Sequence, residues 1–346
     1  MAKRFHPLTV SELIKETKDT ISVKFSIPAE LKDEYQYLPG QYLTIRTDIN
    51  GESIRRSYSI SSIPSEGELK ISCKRVKGGR MSNYLYDNLA VGDSIEVMPA
   101  DGSFTLKNPN KALILFAAGS GITPIISILK QYLKEGSSRV YLFYGNTTQE
   151  DIIFKDELES LRAQNADRMM VQHYLSGDGE RLDKERVKSL VGNAPKGVAD
   201  YYVCGPEGMM NTVLSALEEA GASKDEVHTE YFSNPEIEDT KQEKSAPAAP
   251  VSGDVNDIVV TLDDQDHEIS LEDGESILEG AERIGIDPPF SCHSGVCTTC
   301  KAKLISGGVN MENNFGLGQD EIDDGYVLTC IGYPKEPGTK IDWDQV

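Results

Sequence analysis

Four cysteines near the carboxyl end constrain this chain more than any other feature. Cys292, Cys297 and Cys300 lie in the string Cys292-His293-Ser294-Gly295-Val296-Cys297-Thr298-Thr299-Cys300, and Cys330 follows thirty residues later. A C-x4-C-x2-C run with a distant fourth cysteine suits a [2Fe–2S] cluster, in which four thiolates hold two irons. Small residues, Ser291, Ser294 and Gly295, let such a loop wrap closely and turn backbone N–H groups toward the sulfides. A structural zinc site usually brings two paired cysteine knuckles, whereas Cys330 stands alone. A Rieske centre needs two histidine ligands, and His293 alone does not supply them. A one-electron carrier must be loaded from somewhere, so the rest of the chain is expected to hold the donor.

With 346 residues there is room for two or three domains, each with its own core. Cys73 and Cys204 remain after the cluster is assigned and do not form a disulfide framework, so a reducing compartment is expected. No apolar signal-peptide core follows Met1-Ala2-Lys3-Arg4, and the longest apolar run, Ala112–Ala118, is too short to span a bilayer. The expectation is a cytoplasmic protein with no membrane partner. The net charge of −21 is uneven: Asp254 to Val346 carries 20 Asp+Glu against 5 Lys+Arg. That acidity argues against nucleic acid and would steer docking with a basic protein face, or serve only solubility.

Residues 1–109 read as antiparallel β, with strands expected at Leu8–Val10, Ile21–Ile27, Tyr42–Thr47, Arg56–Ser61, Leu69–Lys74 and Ser94–Val97. Short strands between turn signals suggest a small closed barrel, with one helix from Ser82 to Leu89. Residues 110–233 change character: Ala112–Ala117 is a buried-strand run entering Gly119-Ser120-Gly121-Ile122-Thr123-Pro124 and an amphipathic helix. Val140–Tyr144, a helical Phe154–Leu161, and Tyr201–Cys204 leading into Gly205-Pro206 repeat a strand, turn, helix layout of nucleotide-binding type. Residues 234–254, with Pro247 and Pro250, read as a linker. Residues 255–346 read as an α+β, β-grasp-like domain around the cysteines, with strands at Ile258–Leu262 and Glu268–Leu271 and a helix near Ser276–Ile284.

Two clusters in the first segment suit a flat heterocycle carrying phosphate. In Arg56-Ser57-Tyr58-Ser59 the guanidinium can pair with a phosphate, the ring can stack and the hydroxyls can bond an edge. Gly78-Gly79-Arg80-Met81-Ser82 leads into a helix N-terminus, where free N–H groups favour an anion. Taken alone, a strand tyrosine is usually core and a Gly-Gly before a helix is usually an ordinary turn.

In combination and order, R-x-Y-S, G-G-x-x-S, G-x-G-x-x-P, C-G-P and the four cysteines resemble the ferredoxin–NADP⁺ reductase superfamily, in the branch with a C-terminal plant-type ferredoxin domain. Met311-Glu312-Asn313-Asn314 and Gly325–Cys330 make the resemblance strongest to the reductase components of phenylacetyl-CoA epoxidases (ring-1,2-monooxygenases). The resemblance implies three domains: an FAD-binding β-barrel, an NAD(P)H-binding α/β domain and a [2Fe–2S] ferredoxin domain. It implies that Arg56, Ser57, Tyr58, Ser59, Gly79 and Ser82 hold FAD, with Ser59 near flavin N5. Gly119, Gly121, Thr123 and Pro124 would form the nicotinamide-nucleotide turn. Cys204, Gly205 and Pro206 would sit beside the nicotinamide, although a purely structural Cys204 is the competing reading. Glu230 and Phe232 match an E-x-F element near the flavin. Cys292, Cys297, Cys300 and Cys330 would bind the cluster.

Members that read the 2′-phosphate of NADPH often carry Y-G-N-R-T, where this chain has Tyr144-Gly145-Asn146-Thr147-Thr148. Ser176-Gly177-Asp178-Gly179 offers no cation, and Arg181 stands next along the chain. NADH and NADPH therefore both stay open. The implied function is a reductase passing electrons from NAD(P)H through FAD and the cluster to an oxygenase component, of the phenylacetyl-CoA epoxidase type in phenylacetate catabolism. The alternatives are a reductase for another oxygenase, hydroxylase or desaturase, and a redox-responsive binding protein with little turnover.

Overall fold

The computed structural model describes residues 4–192, 198–233 and 255–346. The expected linker, 234–254, lies outside them. The chain divides into two compact units, one of Pro7–Ile54 with Tyr58–Glu230, the other built chiefly from Tyr231–Val346. Among the described residues no helix is long and apolar enough to cross a membrane.

The first unit begins with six strands: β1 His6–Thr17, β2 Thr20–Ser26, β3 Tyr42–Ile49, β4 Glu52–Ser59, β5 Leu69–Lys74 and β6 Ser94–Asp101. Their order is β4-β3-β6-β1-β2-β5, and an antiparallel bridge from Ile60, just beyond β4, to Ile71 of β5 joins the two edges. Leu8, Val23, Leu43, Ile45, Ile60, Ile71 and Val97, all 0% exposed, fill the interior. Helix α1 runs Arg80–Asp87 with Gly79 as its N-cap, two residues ahead of the expected start at Ser82. Leu89 falls beyond its end. The shift matters because it brings the first-turn N–H groups, those of Arg80, Met81 and Ser82, directly after the Gly-Gly pair.

The parallel sheet follows: β7 Ala112–Ala118, β8 Val140–Asn146, β9 Met169–Leu175, β10 Ala199–Cys204 and β11 Val227–Glu230, in the order β11-β10-β7-β8-β9. Helices α2 Ile122–Glu135, α3 Lys155–Gln164, α4 Lys184–Val191 and α5 Glu207–Ala220 alternate with the strands. The order reverses beside β7, and in open sheets of this kind ligands bind outside the carboxyl ends of the strands at that point. β9, α4 and β11 were not anticipated, because polar residues such as Gln172, His173 and Glu185 mask their apolar periodicity.

Helix α2 is buried nearly all round. Ile125, Ile126, Ile128 and Leu129 are each 0% exposed, worth about 1.5–3 kcal/mol apiece. The reason lies on its outer face: Ser127 Oγ donates to Ser62 O at 2.7 Å, and Lys130 Nζ pairs with Glu66 at 2.9 Å and Glu157 at 3.1 Å. The helix that carries the G-x-G-x-x-P turn is thus clamped between its own sheet and the barrel.

In the second unit β12 Asp257–Leu262, β13 Gln265–Ser270, β14 Lys301–Ser306, β16 Tyr326–Leu328 and β18 Lys340–Asp342 form a mixed sheet, β13-β12-β18-β14-β16. β15 Val309–Met311 and β17 Gly332–Pro334 pair separately. The helix Ile277–Arg283 is closed by a Ser276–Glu279 capping box and packs Ile277 and Ala281 into the core with Trp343. Its Leu278 turns the other way, to Cys300, Leu328 and Cys330.

Candidate active site and iron–sulfur ligands

The nucleotide turn is shaped by what its glycines touch. A Cβ on Gly121 would lie 2.1 Å from Cys204 O, and one on Gly205 would lie 2.4 Å from Met209 Cε and 3.1 Å from Ala118 N. The turns after β7 and β10 interlock backbone to backbone, which only glycine permits at these contacts. Thr123, 2% exposed, donates its hydroxyl to Ser120 O at 3.0 Å. Tyr144 on β8 donates to Gly119 O at 3.0 Å and accepts from Ile153 N–H at 3.3 Å. This tether was not foreseen; a tyrosine two residues before a strand's end, on the inward face, is the signal that marks it.

Where β10 and β11 end, Cys204 and Glu230 are register partners. Ser59, at the end of β4, donates its hydroxyl to Glu230 Oε2 at 3.3 Å. Three of the four residues expected to take part in catalysis therefore meet, from three strands far apart in sequence. Glu230 as a residue keeps some exposed surface, but its carboxyl end is enclosed, and burial raises it to about 8. The Ser59 bond pulls weakly the other way. Cys204 is 0% exposed, and its thiol is pushed well up by burial and then by the neighbouring carboxyl. Near neutral pH the site is uncharged and holds a proton on Glu230. Phe232 is 47% exposed.

On the barrel side, Tyr58 is half-buried with its hydroxyl against Cys73, and Arg56 is exposed, its Nη1 donating to Arg55 O at 2.6 Å. Ser57 lies between them, half-buried. A Cβ on Gly79 would sit 2.6 Å from Ser82 Oγ, which accepts from Val76 N–H at 3.1 Å. The start of α1 thus presents bare backbone. It opens on a cleft of about 490 Å³ whose lining includes Asp48, Asn50, Gly78, Gly79 and Arg80. Bare N–H groups and a dipole at a helix start are a fit for a pyrophosphate.

In the second unit the cysteine loop reverses through His293 and Gly295, with φ of 54° and 75°. A Cβ at Gly295 would meet Asn313 O and Ile331 Cδ1, both at 2.8 Å. Ser294 N–H donates to Cys292 Sγ at 3.4 Å. Thr329 donates its hydroxyl to Cys300 O at 3.0 Å, which brings Cys330 beside the loop. The sulfurs form one close group: Cys292 touches Cys297 and Cys330, and Cys330 also touches Cys300. Hydrogen bonds from Cys297 and Cys330 hold the Cys292 thiol far below its ordinary value and push the other two up. Among the described residues no group of three or more His, Cys, Asp or Glu closes round a single ion. Four thiols gathered from one loop and the strand that follows suit a cluster of two irons. Cys292 keeps partial exposure; the other three are buried.

Comparison with known proteins agrees with this geometry. Family models match for an oxidoreductase FAD-binding domain over residues 7–106, an oxidoreductase NAD-binding domain over 115–215 and a 2Fe-2S iron-sulfur cluster binding domain over 260–335. The chain is 36% identical to the ferredoxin reductase component of 3-ketosteroid-9-alpha-monooxygenase from Rhodococcus rhodochrous, over 97% of this chain and 96% of that protein. It is 35% identical to one of the subunits of the 1,2-phenylacetyl-CoA epoxidase of Escherichia coli, over 98% of each. The glycine betaine monooxygenase reductase subunit of Pseudomonas aeruginosa is 30% identical over 95% of this chain and 93% of its own. Among solved structures, phthalate dioxygenase reductase, described as a modular structure for electron transfer from pyridine nucleotides to [2Fe–2S], covers 98% of both chains at 26% identity and a TM-score of 0.62.

Proposed function

The chain belongs to the ferredoxin–NADP⁺ reductase superfamily, among the electron-transfer reductases of multicomponent oxygenases, and on that premise we propose that it serves an epoxidase acting on an aromatic acyl-CoA. Met311–Asn314 and Gly325–Cys330 support that choice. The 36% identity to a ketosteroid monooxygenase reductase favours a second reading, a reductase for a ring-hydroxylating monooxygenase.

FAD bound between the barrel and the parallel sheet would accept a hydride from NAD(P)H and return electrons one at a time. The chain's own residues prepare that exchange. Arg56 and the bare start of α1 at Gly79 and Ser82 hold the pyrophosphate, while Tyr58, pinned at its hydroxyl by Cys73, offers a ring face. The interlocked turns at Gly121 and Gly205 with Pro206, backed by Thr123 and Pro124, seat the nicotinamide nucleotide beside Cys204. Glu230 holds a proton and Ser59 aims at it, so neutral hydrogen-bonding groups face the reacting ring. Phe232, two residues beyond Glu230, completes the E-x-F element. Cys292, Cys297, Cys300 and Cys330 hold the cluster, with Cys292 at the exposed edge. The acidic surface of the ferredoxin domain docks a basic face of the oxygenase component.

The observation that carries the reading is the meeting of Ser59, Cys204 and Glu230 beside the interlocked turns. Anaerobic titration of the purified holoprotein with NADH or NADPH tests it: flavin and cluster absorption should both bleach. Protein that contains both centres and bleaches neither is not a reductase. Reconstitution with the epoxidase and with a ketosteroid oxygenase separates the two partners, since only the true one gives NAD(P)H-dependent product.

A further inference from the structure

Three residues of β4, Arg55–Ser57, fall in the second compact unit, as does Phe5. Arg55 is the centre of their contacts there. It is 7% exposed, a burial that a guanidinium tolerates only when its charge and its N–H groups are matched. Its Nη1 donates to Pro288 O at 3.2 Å, and its Nη2 pairs with Asp287. Its central carbon lies 3.9 Å from the centre of the Phe290 ring and 5.2 Å from that of Phe5. A planar cation set against aromatic rings, with its donor fork on a carboxylate and a carbonyl, is a fit that an ammonium group does not reproduce.

Apart from Phe5, these partners all lie in one segment, Asp287-Pro288-Pro289-Phe290-Ser291, which runs directly into the cluster ligand Cys292. Two successive prolines stiffen that segment, so a hold at Asp287 and Phe290 fixes its whole length. Ser57 donates its hydroxyl to Ser291 Oγ at 2.8 Å, and Ser291 is 1% exposed. Beyond the ligand, the His293 ring meets Phe290 edge-on at 4.6 Å. Cys292, the ligand that keeps partial exposure, is therefore flanked on both sides in sequence by residues tied to the Arg55 contact. None of the flavin or nucleotide roles given to Arg56, Tyr58 and Ser59 calls on Arg55.

Resting on the reductase reading, we propose that Arg55 is a positioning residue for electron transfer, clamping residues 287–291 so that Cys292 stays beside the strand that carries Tyr58. Tyr58 follows Ser57 and Cys292 follows Ser291, so a single hydrogen bond links the neighbours of two cofactor-holding residues. The step served moves one electron and no atoms: the reduced flavin loses it, and one of the cluster's two ferric ions becomes ferrous.

Stopped-flow reduction of the holoprotein by NADH separates the two steps, because flavin and cluster bleach at different wavelengths. Arg55→Ala should retain FAD and cluster absorption and reduce its flavin at the wild-type rate. Its cluster should follow about tenfold to a hundredfold more slowly, as expected when reacting centres shift by about 1 Å. Arg55→Lys, which keeps the charge and most of the packing, should show the same split, and Asp287→Asn a smaller one. Hydrogen exchange gives a readout independent of turnover: residues 286–293 should exchange faster in Arg55→Ala, with the rest of the ferredoxin domain unchanged. Cluster reduction at the wild-type rate in both Arg55 variants, or unaltered exchange in that segment, overturns the proposal. Loss of FAD from Arg55→Lys overturns it too, since Arg55 would then serve the flavin itself. Wild-type holoprotein whose flavin fails to bleach with either nucleotide overturns the reductase reading instead, and the exchange measurement still decides whether Arg55 holds the segment.

Discussion

Glu230 makes the pH dependence of hydride acceptance a direct test of the active site. Its carboxyl is raised to about 8, chiefly by burial. With that value it is roughly nine-tenths neutral at pH 7 and roughly one-tenth neutral at pH 9. The neutral form can give up a proton, while the ionised form puts a negative charge beside Ser59 and Cys204, where the proposed hydride transfer would bring electrons. Anaerobic stopped-flow reduction of the flavin by NADH should therefore slow about tenfold between pH 7 and pH 9. Glu230→Gln cannot ionise, so its rate should be lower at pH 7 and flat across the range. The same group leaves a mark on stability. The folded value is about 8 against 4.5 for an ordinary glutamate, so between those pH values the folded state keeps a proton that the unfolded chain has released. Its contribution to stability is full below about pH 4.5, is lost at up to about 1.4 kcal/mol per pH unit as pH rises, and levels off above about 8. The glutamine variant lacks that loss, so its melting temperature should climb relative to the wild type from pH 5 to pH 8. A wild-type rate that stays level from pH 6 to pH 10, or an inflection that survives in Glu230→Gln, would refute the assignment.

Other consequences follow from the same contacts. Gly121→Ala places a methyl 2.1 Å from Cys204 O, a backbone atom that cannot swing aside, so the protein should lose about 1–3 kcal/mol and most NAD(P)H-dependent flavin reduction, read by melting and stopped flow. Persistence of wild-type rates in that variant would mean the two turns do not shape the nucleotide site. Cys330→Ala removes one of the four gathered thiols and should abolish the cluster's absorption and paramagnetic signal, while the flavin still bleaches with NADH. Cys73, 1% exposed with its thiol pushed up to about 12, should resist alkylation at pH 8 in native protein. Rapid labelling of Cys73 would show that the barrel core opens.

How much of this was visible in the sequence depended on whether the chemistry was local. The cysteine spacing could be read directly, because three of four ligands occupy one short loop and the fourth comes with its own strand, Tyr326–Leu328. The Gly-rich turn after β7 was legible for the same reason. Less so were β9 and β11, where Gln172, His173 and His228 interrupt the apolar pattern that marked β7. Their burial is imposed by neighbours rather than by their own composition. The start of α1 was displaced by two residues because Arg80 looks like a loop residue, yet its guanidinium reaches Glu52 and Ile49 O across the β3–β4 hairpin and steadies the first turn.

What no local pattern conveyed is the dependence of one turn on another. Gly121 reads in the sequence as a glycine of the nicotinamide-nucleotide turn. In the fold its missing side chain is already occupied by Cys204 O, so the residue first serves the seam between β7 and β10. The β10–β11 pairing places Cys204 opposite Glu230, and the clamp of α2 on the barrel through Ser127 and Lys130 holds that sheet against β4, where Ser59 waits. A change at Ser127 or Lys130, remote from any reacting atom, should therefore act on hydride transfer through the Ser59–Glu230 distance. Ser127→Ala removes the bond to Ser62 O without altering the charge of the site. It should lower the rate of flavin reduction while leaving the inflection near pH 8 in place, whereas a shifted inflection would place the effect on Glu230 itself.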